Sequence, residues 1–281
     1  AGINRYPDGS CYYLKRKLSD VFGFPPEQIM IGNGSNELIE LIIRTFLLPG
    51  EEAIQAFPTF LVYRTIVAGA GGQPVSVPLN NLKIDLNIIR KEITPKTKII
   101  FINNPNNPTG SALLRDELEM FLGSIPSDIL IVLDEAYIEF VTDREIADGI
   151  DFIRNHPRVI VLRTFSKLYG LAGLRIGYGF STKEIVDYMN RVRQPFNVNS
   201  LAQAAALAAL DDRDFVNRTL NLVKDGLHYL FGQLEDMGLE YRPTQTNFFL
   251  VKTPLGAKRT YELMLREGVI VRSMRSYGLN E

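Results

Sequence analysis

Lys167 closes the segment "RTFSK", beside Thr164 and Ser166, and Arg175 follows eight residues later in "LAGLR". A lysine among apolar neighbours loses proton affinity because burial disfavours its charged form, and a neutral amine is a nucleophile that condenses with a carbonyl. Gly170, Gly173, Gly177 and Gly179 are a poor setting for an exposed helix and suit close approach by a ligand. Asp134 ends the apolar run "ILIVL", where a carboxylate needs a cation or a strong donor to offset its desolvation. Tyr137, three residues on, could turn its hydroxyl to the same place. In "GNGSNE" (32–37), glycines precede Ser35 and Asn36 at the start of a helical pattern. The free N–H groups and dipole of such a terminus would hold a phosphate, although the same composition also serves as a plain cap. "NNPNNPTG" (103–110) sets asparagine amides among Pro105, Pro108 and Gly110, either as fixed donors to a ligand oxygen or as a rigid loop of Asx turns.

These segments follow short apolar runs at 29–31, 98–102, 129–133 and 159–162, each read as a strand buried on both faces. Helical patterns at 35–47, 59–69, 85–92, 114–122 and 183–193 alternate with them, so the class is α/β with a mostly parallel central sheet between helices. Ligands of such sheets collect at the carboxyl ends of the strands, which is where the polar segments fall. After residue 210 the texture changes. Residues 211–238 form one long amphipathic pattern leading to a smaller α+β unit, with strands expected at 246–252 and 269–274 and a helix at 257–268. The expected division is a large domain at 1–208 and a small one at 209–281. The chain starts in turn-like sequence and stops just past an expected strand, so a further element is expected at each end.

With 281 residues, 46% of them hydrophobic, the chain can bury a large core. Its 31 Lys plus Arg balance 32 Asp plus Glu, which leaves no electrostatic footprint for nucleic acid or an anionic membrane. Cys11 is the only cysteine, so no intrachain disulfide forms and a reducing compartment is expected. With only His156 and His228, Ser/His/Asp triads and zinc sites are poorly supplied, and no metal is expected. No stretch reads as a signal peptide, and the weakly polar run at 201–210 is too short to cross a bilayer, so the cytoplasm is the expected location.

Taken together, the polar segments offer a helix terminus and an arginine for a phosphate, amide and phenol donors for a ring oxygen, an aspartate for a ring cation and an amine for an aldehyde. Pyridoxal phosphate needs all of these. The blocks "NRYPDG", "GNGSNELIELI", "NNPNNPTG", "VLDEAYIEF", "RTFSKLYGLAGLRIGY" and "GVIVRSMRSYGL" closely resemble, in order and over nearly the whole chain, the fold type I aminotransferases, and within them the histidinol-phosphate aminotransferase family. The resemblance implies that Lys167 condenses with the cofactor aldehyde and moves the proton, and that Asp134 pairs with the pyridine nitrogen. It implies that Asn107 and Tyr137 donate to the phenolic oxygen, that Phe60 stacks on the ring, and that Ser35, Asn36, Ser166 and Arg175 hold the phosphate. Tyr6 would reach the phosphate of a neighbouring subunit in a homodimer, and Arg272 would grip the anionic group of the substrate. The implied reaction is transamination of histidinol phosphate with 2-oxoglutarate, in histidine biosynthesis. Alternatives are a threonine-phosphate decarboxylase, an aromatic amino acid aminotransferase and, outside enzymes, a sensor that binds pyridoxal phosphate. The family also carries an N-terminal arm and, past the equivalent of Glu281, a strand with a second substrate-binding arginine.

Overall fold

The computed structural model describes residues 4–281. Its centre is one seven-stranded sheet: β1 (Ile29–Gly32), β2 (Glu52–Phe57), β3 (Gln73–Pro78), β4 (Thr97–Asn103), β5 (Leu130–Asp134), β6 (Val159–Thr164) and β7 (Gly177–Phe180). The strand order is β1-β7-β6-β5-β4-β2-β3. β7 alone runs backwards, antiparallel to both β6 and β1, so the sheet is mixed and the carboxyl ends of the other six strands share one edge. The expected α/β class holds, and the four apolar runs are all strands.

Side-chain alternation divides the core between the two faces of the sheet. Ile29, Ile31, Ile100, Ile102, Ile131, Leu133, Val159 and Val161 pack on one face, beneath α1 (Tyr12–Phe22), α4 (Leu86–Lys91), α5 (Arg115–Ser124) and α7 (Ser200–Asp211). Met30, Ile99, Phe101, Leu130, Val132, Ile160 and Leu162 pack on the other, beneath α2 (Ser35–Phe46), α3 (Val62–Gly69) and α6 (Lys183–Val192). Each fully buried aliphatic or aromatic side chain contributes about 1.5–3 kcal/mol of transfer free energy, which makes this double layer the frame that holds the edge loops in place.

Two of the glycines expected to admit a ligand do something else. A Cβ on Gly177 would lie 2.5 Å from the Ser35 nitrogen, and one on Gly179 would lie 2.6 Å from the Val161 carbonyl oxygen. In β7 these glycines let neighbouring backbone approach, and Gly177 lets the start of α2 sit directly against the sheet. Gly170 occupies a left-handed turn at φ +69, while a Cβ on Gly173 would meet nothing.

Past α7 the expected long helix is present as α8 (Arg213–Asp236), with Asp212 accepting from the Phe215 amide at its start. The helical backbone breaks at Asp212, between α7 and α8, and residues 208–209 lie inside α7. α9 (Gly256–Arg266) also forms. The two expected strands do not. Residues 246–252 contribute only an isolated bridge between Val251 and Tyr241, and 269–274 pairs with nothing among the described residues. A strand is defined by its ladder: residues 240–242 meet only 250–252 through two backbone hydrogen bonds, and no strand borders 269–274 among the described residues, where Val269 and Ile270 are exposed.

Candidate active site

Five loops leave the carboxyl edge at the ends of β1, β2, β4, β5 and β6, and they carry most of the residues singled out above. Asp134 is the last residue of β5 and only 2% exposed. Its Oδ2 accepts a hydrogen bond from the Tyr63 hydroxyl at 2.5 Å, while its Oδ1 is buried and meets no donor at hydrogen-bonding geometry. Burial pushes this carboxyl up to about 6, although the Tyr63 hydroxyl, the Ala136 amide and the Lys167 charge all act to lower it. The cation or donor that Asp134 was expected to need is therefore only half supplied.

Lys167 follows β6, next to β5 in the sheet. It is exposed at the edge and not enclosed in the core, contrary to the reading of an apolar burial site, because the chain turns away from the sheet at Phe165. Its amine is partly desolvated, which lowers its proton affinity; Asp134 opposes that shift and Arg175 adds to it. The ammonium nitrogen lies 5.3 Å from the centre of the Tyr137 ring. Tyr137 is 6% exposed, meets Phe248 edge-on at 4.9 Å and accepts from Asn107 Nδ2 at 3.2 Å. Burial, followed by the charge of Asp134, pushes its phenol up to about 12, so it stays protonated.

The asparagine loop serves both purposes considered for it. Asn103 Nδ2 and the Asn104 amide donate to the Asp134 carbonyl oxygen, Asn104 also bonds Ala147 and Leu113, and Asn106 bonds Pro58, Thr59 and Thr109. These three are buried structural ties. Asn107 alone keeps its amide at the surface of the cluster, beside the Tyr137 hydroxyl.

At the end of β1, Gly34 precedes α2 at φ +79, and no side chain caps the helix. Ser35 and Asn36 are its first two residues, so plain side-chain capping is not what they do, and their amides face outward from the helix. Arg175 joins them: a Cβ on Gly34 would lie 2.6 Å from its Nη2. Its Nη1 donates to the Ala172 carbonyl oxygen, and its own backbone is left-handed at φ 59. The Ser166 amide donates to Thr164 Oγ1. The result is a positive rim of helix terminus and guanidinium.

Phe60, just past β2, is half-buried and meets Tyr63 edge-on at 5.5 Å. Arg272 lies 5.4 Å from the Tyr277 ring and close enough to Tyr137 for its charge to act on that phenol. Tyr6 is not drawn into the cluster. It stacks on Phe196 at 4.6 Å and is 82% exposed.

Sequence reasoning missed Tyr63, Phe248 and a buried ion pair beneath the loops. Arg163 donates through Nε and Nη2 to Glu135 Oε2 at 3.0 and 2.8 Å, and through Nη2 to Asp148. Burial alone would weaken the guanidinium's hold on its proton; Glu135 and Asp148 reverse that and raise it. The signal for the pair was the charged Glu135 directly after a buried aspartate, with Arg163 inside an apolar run. Tyr63 gave no such signal, since an aromatic on a helix reads as core.

Known proteins resemble the chain over nearly its whole length. The family pattern described as aminotransferase class I and II matches residues 1–281. A histidinol-phosphate aminotransferase from Moorella thermoacetica is 43% identical over 274 residues, covering 97% of this chain and 71% of the relative. One from Anaeromyxobacter sp. is 45% identical over 280 residues, covering 99% and 77%. Among solved structures, histidinol-phosphate aminotransferase from Sinorhizobium meliloti in complex with pyridoxal-5'-phosphate superimposes with a TM-score of 0.89 at 31% identity, covering 95% of this chain and 74% of that one. A family match over the whole chain, together with relatives more than 40% identical and covered to more than two thirds of their length, shows that the chain belongs to the aminotransferase class I and II family.

Proposed function

We propose that this chain catalyses pyridoxal phosphate-dependent transamination, with histidinol phosphate as amino donor and 2-oxoglutarate as acceptor, in histidine biosynthesis. Its relatives at 43–45% identity bear that name. The observation that carries the reading is the pairing of Lys167, an amine with lowered proton affinity, with Asp134, a buried carboxylate whose Oδ1 has no donor. An orphaned buried carboxylate oxygen is costly, and a protonated ring nitrogen is a partner of the right charge and shape. The residues therefore fit the cofactor.

Asp134 Oδ1 would take the ring nitrogen, and Asn107 Nδ2 with the Tyr137 hydroxyl would face the phenolic oxygen. Phe60 would cover the ring. The amides of Ser35 and Asn36, the Ser166 hydroxyl and Arg175 would hold the phosphate, and Arg272 the anionic group of the substrate. When bound, the cofactor supplies an electron sink for charge that develops at the substrate α-carbon. Lys167 would hold the cofactor through its amine, which in its neutral form would also serve as the base for the substrate α-proton. Asp134 would favour a protonated ring nitrogen, and Tyr137, whose phenol burial keeps protonated, would donate and not compete for the proton.

The chain works as two units, 1–208 and 209–281, with α7 running across the boundary and the helical backbone breaking just past it at Asp212. It acts as a homodimer in the cytoplasm, with the exposed Tyr6 reaching the phosphate of the second copy. No described helix is long and apolar enough to cross a membrane. Incubating the purified protein with pyridoxal phosphate, histidinol phosphate and 2-oxoglutarate should yield glutamate. Release of carbon dioxide without glutamate would refute the assignment.

A further inference from the structure

Tyr63 belongs to none of the loops that hold the site, yet it makes the one side-chain hydrogen bond to the Asp134 carboxylate among the described residues. It sits on α3 and is fully buried. Its ring stacks on Phe101 at 4.7 Å with planes 8° apart, and Phe60 closes over it edge-on. A side chain so clamped cannot swing, so its hydroxyl marks a fixed point in the core. Burial and the charge of Asp134 keep the phenol protonated, so the hydroxyl donates.

We propose that Tyr63 is a positioning residue for the cofactor: by occupying Asp134 Oδ2 it fixes the plane of the carboxylate and leaves Oδ1 as the only seat for the ring nitrogen. The inference rests on the function proposed above. Without Tyr63 the carboxylate loses its one side-chain donor and is less restrained about its terminal torsion, which is soft. The Ala136 amide also acts on the carboxyl, but it lies two residues away on the same chain segment and does not tie the carboxylate to the core as Tyr63 does, and the other groups facing Asp134 do not replace this donor. Asn103 and Asn104, from the end of β4, bond its backbone carbonyl, Tyr137 bonds Asn107, and Lys167 acts at longer range through its charge. A phenol hydrogen bond also stabilises the anion, which keeps the proton shared with the ring on nitrogen and not on oxygen.

Two substitutions separate a donor from a mere filler. Tyr63→Phe keeps the ring and removes the hydroxyl, whereas 3-fluorotyrosine placed at 63 keeps the bond and strengthens the donor. The readouts are the dissociation constant for pyridoxal phosphate and the pH midpoint of the visible absorbance band of the loaded protein. We expect the Phe variant to bind the cofactor about tenfold more weakly, and the two variants to move the band midpoint in opposite directions. The inference is overturned if the folded Phe variant retains wild-type affinity and midpoint, or if both variants shift the same way, as a packing defect would. Should the Phe variant not fold, the fluorinated protein decides alone: a displaced midpoint supports the bond and an unchanged one refutes it. Failure of the wild-type protein to take up the cofactor at all would instead refute the function on which this rests.

Discussion

The amine of Lys167 stands 5.3 Å from the centre of the Tyr137 ring, although the two residues lie thirty positions apart at the ends of different strands. They meet because β5 and β6 are parallel neighbours in which Asp134 pairs with Leu162, so whatever follows each strand leaves the sheet side by side. The amine, the phenol and the buried carboxylate are therefore set by strand register and not by the loops alone.

Replacing Lys167 with Ala removes the amine from an exposed position where it makes no ion pair among the described residues. Transamination should fall by about 10²–10⁴-fold or more, while stability to urea should stay within about 0.5 kcal/mol of wild type. Steady-state kinetics and equilibrium unfolding on the same preparations separate the two effects.

Asp134→Asn should move stability and activity in opposite directions. The folded carboxyl is raised from 3.8 to about 6, chiefly by burial, so the folded state binds the proton more tightly than the unfolded chain. Its contribution to stability is intact below pH 3.8 and lost as pH rises through 6. At pH 8 the apo variant should be more stable by about 1–3 kcal/mol, with no gain at pH 3.5, and its transamination should drop by at least about a hundredfold. An apo variant less stable than wild type at pH 8 would mean that the buried charge is better compensated than the orphaned Oδ1 indicates.

Neighbouring asparagines should behave differently. Asn104→Ala leaves the Leu113 amide and the Ala147 carbonyl oxygen without a partner in the core and should cost about 1–3 kcal/mol of stability. Asn107→Ala loses one contact at the surface of the cluster and should leave the urea midpoint nearly unchanged while slowing kcat. Thermal melts and turnover of both variants check the contrast.

Much of this was open to reading from the chain, and the exceptions have physical causes. Strands β4, β5 and β6 are buried on both faces and appear as unbroken apolar runs, so the loops after them could be placed. β2 (EAIQAF), β3 (QPVSVP) and β7 (GYGF) went unread: one carries a buried Gln55, one is an exposed edge strand with prolines, and one uses glycines to admit backbone. α1 escaped because Cys11 enters it in a left-handed conformation without capping it, and the carboxylate that bonds the Tyr12 amide comes from Asp8, four positions earlier. The strands expected at 246–252 and 269–274 failed for the opposite reason, since an apolar stretch proposes a strand and only a neighbour makes one. The dual use of the asparagine loop was invisible, because four residues of one type differ only in what they touch once folded.

Beneath the loops, the carboxyl oxygens of Glu139 are buried and have no hydrogen-bond partner, and burial lifts this group from 4.5 to about 7 in spite of the nearby Arg163. Stability from Glu139 is present below pH 4.5 and lost as pH rises through 7, and burial of Glu135 acts in the same sense. The apo protein should therefore unfold at lower urea concentration at pH 8 than at pH 5. Glu139→Gln should flatten that fall by roughly 1–3 kcal/mol; an unchanged pH profile in this variant would show that Glu139 ionises at no cost.

The central claim is that one lysine at the carboxyl edge holds pyridoxal phosphate. It is tested most directly by loading the protein with the cofactor, reducing with borohydride, digesting and locating the modified peptide by mass. The account predicts a single adduct on Lys167, with loss of the visible band upon reduction. An adduct on any other lysine, or none in a protein that retains its fold, would contradict it.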